Sequence, residues 1–118
     1  LVVAGAHANE PTGGSTLLSL AERVLHRREL RRDTSWHFLL CADPDGASLH
    51  RTPAPRTLLD YHLGFFRPAA EEQPEWSPSV LPPHRLPPET RTLTRVIDEL
   101  RPYLQVTLHG TDLGKIGT

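Results

Sequence analysis

The chain has 118 residues, 37% of them hydrophobic, which suits one domain, or part of one, with a modest core. Its net charge of −1 gives no general attraction to nucleic acids or acidic membranes, so neither is expected as a partner. A single cysteine excludes a disulfide framework, and no apolar stretch reaches the roughly 20 residues of a membrane-spanning helix.

The first part of the chain is predicted to form a strand, a helix and a second strand. Residues 1–5 are typical of a short buried strand, and residues 36–42 of another. Between them a helix is predicted to start near Gly13-Gly14 or Ser15-Thr16, because apolar residues then recur at helical spacing. These residues are Leu17, Leu20, Ala21, Val24 and Leu25. Several arginines near its end suit the helix dipole, so we interpret them as a solvated basic face.

The second part is predicted to form a long loop, a helix and a third strand. Ten of the 12 prolines lie in residues 44–88, where the missing backbone donor disfavours helix and central strand. A helix is predicted from Pro88-Glu89 to Pro102, and a strand over residues 104–108. Strands that alternate with helices indicate an α/β fold, with a parallel or mixed sheet covered by helices.

Both ends are interpreted as interruptions of a longer domain. Leu1 already lies in a strand-like run, with no charged segment typical of a signal peptide before it. Residues 114–118 end without a closing element. We therefore expect part of a longer protein whose fold is incomplete at both ends, and its compartment stays open.

Two metal-binding side chains follow the first predicted strand. His7 and Glu10 offer an imidazole nitrogen and a carboxylate oxygen, both good zinc ligands. Pro11 biases Glu10 away from helical geometry, so the pair is expected on a turn. This spacing alone is a weak signal, because polar loop residues at the surface produce it too.

His109, at the end of the third predicted strand, is the candidate third ligand. It lies at the same sheet edge as His7 if the two strands run parallel. Two histidines and one glutamate with an open fourth position form the pattern of catalytic zinc sites. We therefore predict one zinc ion on His7, Glu10 and His109, although such a site also accepts other divalent ions. The alternative for His109 is a structural histidine at a strand end.

These motifs together resemble the M14 zinc carboxypeptidases. The His7-Ala8-Asn9-Glu10 segment, followed by Pro11 and Gly13, resembles the family's first metal motif, and His109 resembles its third ligand. The loop that begins Asp43-Pro44-Asp45-Gly46 resembles the family's Asn-Pro-Asp-Gly loop, with aspartate in place of asparagine. The resemblance covers nearly the whole chain. It implies that residues 1–118 are part of a catalytic domain of three-layer α/β/α type, with a mixed, largely parallel sheet like that of zinc peptidases and phosphorylase/hydrolase-like proteins.

The resemblance also implies an activity, the removal of C-terminal residues from peptides with the help of zinc. It implies catalytic arginines, one that binds the terminal carboxylate of the substrate and one that stabilises the oxyanion. Arg51, Arg56 and Arg67 all lie in the segment where such residues fall in the family. Arg67 is the first candidate and Arg51 the second. The family's general base is a downstream glutamate, which is expected beyond Thr118, so these residues by themselves are expected to be inactive. The acidic cluster Glu71, Glu72 and Glu75 is expected to face solvent.

Two other functions stay open. Deacylases of the aspartoacylase and succinylglutamate desuccinylase type use the same ligand set on acylated amino acids, and the family's Asn-Arg pair has no clear match here. The third possibility is a non-catalytic binding module with an incomplete site.

Overall fold

A parallel sheet of short strands lies at the centre of the fold. The computed structural model describes residues 1–50 and 57–110, and within them the strands are β1 (Val2–Ala4), β2 (Phe38–Leu39) and β3 (Val106–Leu108). They lie in the order β2-β1-β3, and both strand pairs are parallel. The carboxyl ends of all three strands therefore meet at one edge of the sheet.

Helices cover both faces of this sheet. Side chains alternate across a strand, so Val2 and Ala4 face α1 (Thr12–His26) and pack against Leu17, all three being buried. Val3 points the other way and packs against Leu93 of α5 (Pro88–Leu100). The predicted α/β architecture with a helix layer on each side of a parallel sheet is confirmed.

The proline-rich segment is built of short helical turns, and the prediction of a long loop there is wrong for much of it. Its described helical segments are α2 (Pro44–Leu49), α3 (Leu58–Gly64) and α4 (Ser77–Val80), with 3₁₀ turns at Ala70–Glu72 and Pro83–Arg85. Most of these helices carry proline in the first turn, where its missing N–H would have no helical partner anyway. The described part of the segment contains no strand, as predicted. No described helix combines the length and apolarity that crossing a membrane requires.

Candidate metal centre

The three predicted ligands converge at the carboxyl edge of the sheet. His7 and Glu10 follow β1, His109 follows β3, and one ligand atom from each lies within 4.8 Å of the others. The rings of His7 and His109 are 4.7 Å apart between centroids, at an angle of 75°. The distances between the ligand atoms fit the roughly 5 Å expected when zinc bonds are about 2.0–2.2 Å long. Their role as ligands stays a prediction, but the geometry that it requires is present.

A tight turn after β1 brings His7 to this edge. Gly5 adopts a left-handed conformation, with φ of +63°, and a Cβ there would lie 2.9 Å from Cys41 Cα. Glycine tolerates both the conformation and the close approach. The chain then turns again, where the Glu10 backbone N–H donates to the His7 carbonyl oxygen at 3.2 Å. His7 is left only 3% exposed, so its ring is fixed by the surrounding protein.

Glu10 is held as an ionised carboxylate between its neighbours. Its Oε1 lies 3.1 Å from His7 Nδ1, and its Oε2 accepts a 2.6 Å hydrogen bond from the Gly110 backbone N–H. Burial by itself raises the pKa of Glu10, but the Gly110 hydrogen bond and the contacts with His7 and Arg67 outweigh it. The net pKa lies below the ordinary value, so the carboxylate is charged at neutral pH and suited to bind a cation.

Arg67, the first candidate for the catalytic arginine, lies at the same place. Its Nη1 donates to Glu10 Oε1 at 3.3 Å, and its Nη2 lies 3.4 Å from both ring nitrogens of His7. Since these are atoms that a metal ion would use, the guanidinium has to move aside when a metal binds. Arg51 and Arg56 lie outside the described residues, so their candidacy stays a prediction.

Glu75 is a residue of the site that the sequence analysis missed. Its side chain is only 18% exposed, and Oε2 lies 3.2 Å from His109 Nε2. The expectation that Glu75 faces solvent is therefore wrong, whereas Glu71 and Glu72 are exposed as predicted. No local sequence signal distinguishes the three glutamates, because only the packing of the proline-rich segment brings Glu75 to the strand end.

A cavity opens beside two of the candidate ligands. It has a volume of about 640 Å³ and is lined by Glu10 and His109, together with Thr16 and Tyr61. This volume lies in the range of small-molecule sites. A second cavity, of about 630 Å³, is lined mainly by apolar residues such as Trp36, and none of the candidate ligands lines it. The chemistry therefore assigns the first cavity to the site.

The Asp43 loop contributes structure rather than a ligand. Asp43 caps α2, where its Oδ1 accepts a 2.8 Å hydrogen bond from the Gly46 backbone N–H. A Cβ on Gly46 would collide with this carboxylate, so a larger residue there would displace the Asp43 side chain. Asp43 is only 5% exposed, and its Oδ2 has no hydrogen-bond partner within the described part of the chain. Burial raises the pKa of Asp43; the Gly46 hydrogen bond lowers it, but nearby carboxylates raise it again, with a net upward shift.

We expect Asp43→Asn to stabilise the protein near neutral pH. The raised pKa means that the native state holds its proton more tightly than the unfolded chain, so stability is lost as pH rises above about 4. The amide keeps the Gly46 hydrogen bond without a buried charge. The expected gain in unfolding free energy is on the order of 1 kcal/mol at pH 8, the lower end of the cost of an unpaired buried group, and should vanish near pH 3. Urea unfolding at both pH values measures it.

The matched control for this prediction is Asp45→Asn. Asp45 lies in the first turn of the same helix but is exposed. Asp45→Asn should therefore change the unfolding free energy only slightly, and the variant should gain no stability over the wild type as the pH rises. Equal stability curves for the two variants would show that burial of Asp43 has no energetic consequence.

The fold and the site together define a class of protein. A parallel sheet between helices carries two imidazoles and an ionised carboxylate at the carboxyl ends of its strands, and this donor set fits a single zinc ion of the catalytic type. The chain belongs to the zinc carboxypeptidase family (peptidase M14), whose model it matches over residues 1–114. Membership places it among hydrolases of the zinc carboxypeptidase type, a zinc-dependent family. No curated protein and no solved structure was found to match the chain.

Proposed function

We propose that this chain provides the zinc site of a metallocarboxypeptidase, which removes C-terminal residues from peptides. The observation that carries the proposal is the convergence of His7, Glu10 and His109 at one edge of the sheet, in a chain that belongs to the zinc carboxypeptidase family. Two neutral imidazoles and one carboxylate leave a bound zinc ion with net positive charge, which suits it to an electrophilic role.

A zinc ion held there would supply a Lewis acid for the scissile carbonyl and would acidify a bound water. The residues of the chain prepare this chemistry. Glu10 stays ionised because the Gly110 N–H and two neighbouring side chains stabilise its charge. Burial of His7 restricts the direction of its ring.

Arg67 is proposed to stabilise negative charge on the reacting carbonyl oxygen. Its guanidinium lies within 3.4 Å of two candidate ligands, so it would remain near a metal ion bound there after withdrawing from their ligand atoms. The segment that carries it is anchored, because the Phe66 backbone N–H donates to His50 Nδ1 at 3.2 Å and Pro68 is buried. A cation that an anchored segment holds near the reacting carbonyl favours the transition state over the ground state.

We expect Arg67→Lys to lower kcat by about 10²–10³-fold, the usual cost of removing one donor to a developing oxyanion. KM and zinc content should change much less, because the metal ligands are intact. Steady-state kinetics of the full-length protein measure this, with Arg95→Lys, an exposed arginine on α5, as the control. A change confined to KM for substrates with a free carboxylate would assign Arg67 to substrate binding instead.

The cavity beside Glu10 and His109 suits a small terminal group. Its volume of about 640 Å³ accommodates one amino-acid residue and its carboxylate, and hydroxyl groups of Thr16 and Tyr61 belong to lining residues. These groups can donate to or accept from a polar substrate. The cavity supports an exopeptidase or an amino-acid deacylase equally well.

An N-acyl amino-acid deacylase is the second candidate. The 118 residues contain one asparagine, Asn9, and no Asn-Arg pair, although such a pair belongs to the carboxypeptidase pattern. In the segment where the pair is expected, Arg67 precedes a proline, but the two residues before it are Phe65 and Phe66 and not asparagine. This departure favours a substrate whose carboxylate is bound in another way.

Parallel assays of the full-length protein test the proposal. A blocked dipeptide, its C-terminal amide and an N-acetyl or N-succinyl amino acid are each offered with and without a chelator. If the dipeptide is hydrolysed, its amide is not, and the chelator stops the reaction, the result supports a carboxypeptidase. Hydrolysis of the acylated amino acid alone supports the deacylase. A full-length protein that binds zinc but hydrolyses none of these substrates would contradict both enzyme functions and favour a binding module.

A further inference from the structure

A carboxylate outside the predicted ligand set contacts the third candidate ligand. Glu75 Oε2 lies 3.2 Å from His109 Nε2, and the two side chains are 18% and 21% exposed. The other ring nitrogen of His109, Nδ1, lies 2.9 Å from the carbonyl oxygen of Gly110. A carboxylate and a carbonyl oxygen both only accept hydrogen bonds, so each contact requires a proton on the ring nitrogen that it faces. A neutral ring has one N–H and can satisfy only one of them, and the charged carboxylate is the stronger acceptor.

The turn that carries Glu75 is fixed on both sides. Before it, the side-chain amide of the buried Gln73 donates to the Pro68 carbonyl oxygen at 2.7 Å. After it, Ser77 Oγ lies 2.6 Å from Thr90 Oγ1, and both hydroxyls are buried between α4 and α5. The Ser77 backbone N–H also donates to the Gln73 carbonyl oxygen at 2.9 Å. The position of the Glu75 carboxylate is therefore set by the fold and not by a chance surface contact.

Glu75 stands in a different relation to the site from the three candidate ligands. Their ligand atoms form a group within 4.8 Å of one another, to which Glu75 does not belong. It contacts one member of that group from outside. Histidines that bind metals generally donate their second ring N–H to a carboxylate, a carbonyl or a water, which fixes the tautomer and the ring orientation.

We propose that Glu75 is a positioning residue for the metal site, which holds His109 with its proton on Nε2 and reserves Nδ1 for the metal. Nδ1 exchanges its contact with the Gly110 carbonyl oxygen for the metal, while Nε2 keeps Glu75. The inference rests on the proposed zinc site. The negative charge of Glu75 also makes the imidazole a stronger donor to the ion.

Two readouts on the full-length protein test the role of Glu75. The first is zinc affinity, measured by competition with a chromophoric chelator. Glu75→Ala should weaken it about 10–100-fold, the usual effect of removing an outer carboxylate. Glu75→Gln should lose less, because the amide oxygen still accepts from Nε2–H, and it serves as the test if Glu75→Ala fails to fold. Glu71→Ala, an exposed glutamate of the same segment, should leave the affinity unchanged.

The second readout is the tautomer of His109 in the metal-free protein, obtained from the ¹⁵N chemical shifts of its ring. The neutral ring should carry its proton on Nε2 in the wild type and in Glu71→Ala. In Glu75→Ala the Gly110 carbonyl oxygen is the acceptor that remains beside the ring, so the proton should shift towards Nδ1. If Glu75 had only a structural role, its replacement in a protein that still folds would leave the His109 tautomer unchanged.

The outcomes separate this inference from the proposed function. Equal zinc affinity in Glu75→Ala and Glu71→Ala, or an unchanged His109 tautomer in both, would overturn the role of Glu75. Complete loss of zinc in both Glu75 variants would also overturn it, since Glu75 would then be a ligand itself. A wild-type protein that binds no zinc would refute the proposed function, and the tautomer measurement would still decide whether Glu75 orients His109.

Discussion

His7→Ala is expected to abolish stoichiometric zinc binding. His7 is buried and supplies one of the three candidate ligands found among residues 1–50 and 57–110, so the group without it keeps two. The loss of affinity should exceed the about 10–100-fold that follows removal of an outer-shell partner. Metal analysis of the purified variant after dialysis against limiting zinc measures it, with circular dichroism to verify that the fold is retained.

His62→Ala is the matched control for His7→Ala. His62 lies on α3, is exposed and is not part of the ligand group. Its variant should keep one zinc ion per chain. Equal loss of zinc in both variants would move the metal site into the proline-rich segment and refute the predicted ligand set.

Gly13→Ala is expected to have the largest effect on stability. Gly13 is buried in the first turn of α1, and a Cβ there would collide with the backbone carbonyl oxygen of Leu108. Because that oxygen belongs to β3, the helix and the strand have to separate. The expected destabilisation is about 3 kcal/mol, the upper end of the usual cost of overpacking. The same displacement moves His109, the residue after Leu108, so zinc affinity should fall as well.

The adjacent Gly14→Ala provides the opposite expectation. Gly14 lies in the same helix turn, but a Cβ there meets none of the described atoms within 4 Å. Alanine in a helix is favoured over glycine by about 0.5–1 kcal/mol, so this variant should be slightly more stable. Denaturant unfolding of the two variants compares them directly. Similar stability changes in both would show that the close approach of α1 to β3 is not required.

Local sequence patterns were enough to predict the order of the main strands and helices and the residue types at the strand ends. Apolar runs predicted the three strands, helical spacing predicted α1 and α5, and Pro11 predicted the turn that carries Glu10. These features depend on neighbouring residues, and local patterns reflect them directly. The metal-binding residue types at positions 7, 10 and 109 could be recognised because each follows a predicted strand. Their function as ligands stays a prediction.

The path of the proline-rich segment could not be predicted in the same way. Its prolines excluded long helices but did not show that many of them open short helical turns, where proline is favoured. A turn of this length has little periodicity of its own, so the pattern of apolar residues does not distinguish it from a loop.

The set of side chains that meet at the site depends on how the strands and helices pack. The parallel pairing of β1 with β3 brings His109 to His7, and the packing of the proline-rich segment brings Arg67 to Glu10 and Glu75 to His109. These contacts join residues far apart in the chain. Whether such residues meet depends on which surfaces the helices and strands bury against one another when the chain folds. The local spacing of residue types does not predict this long-range packing.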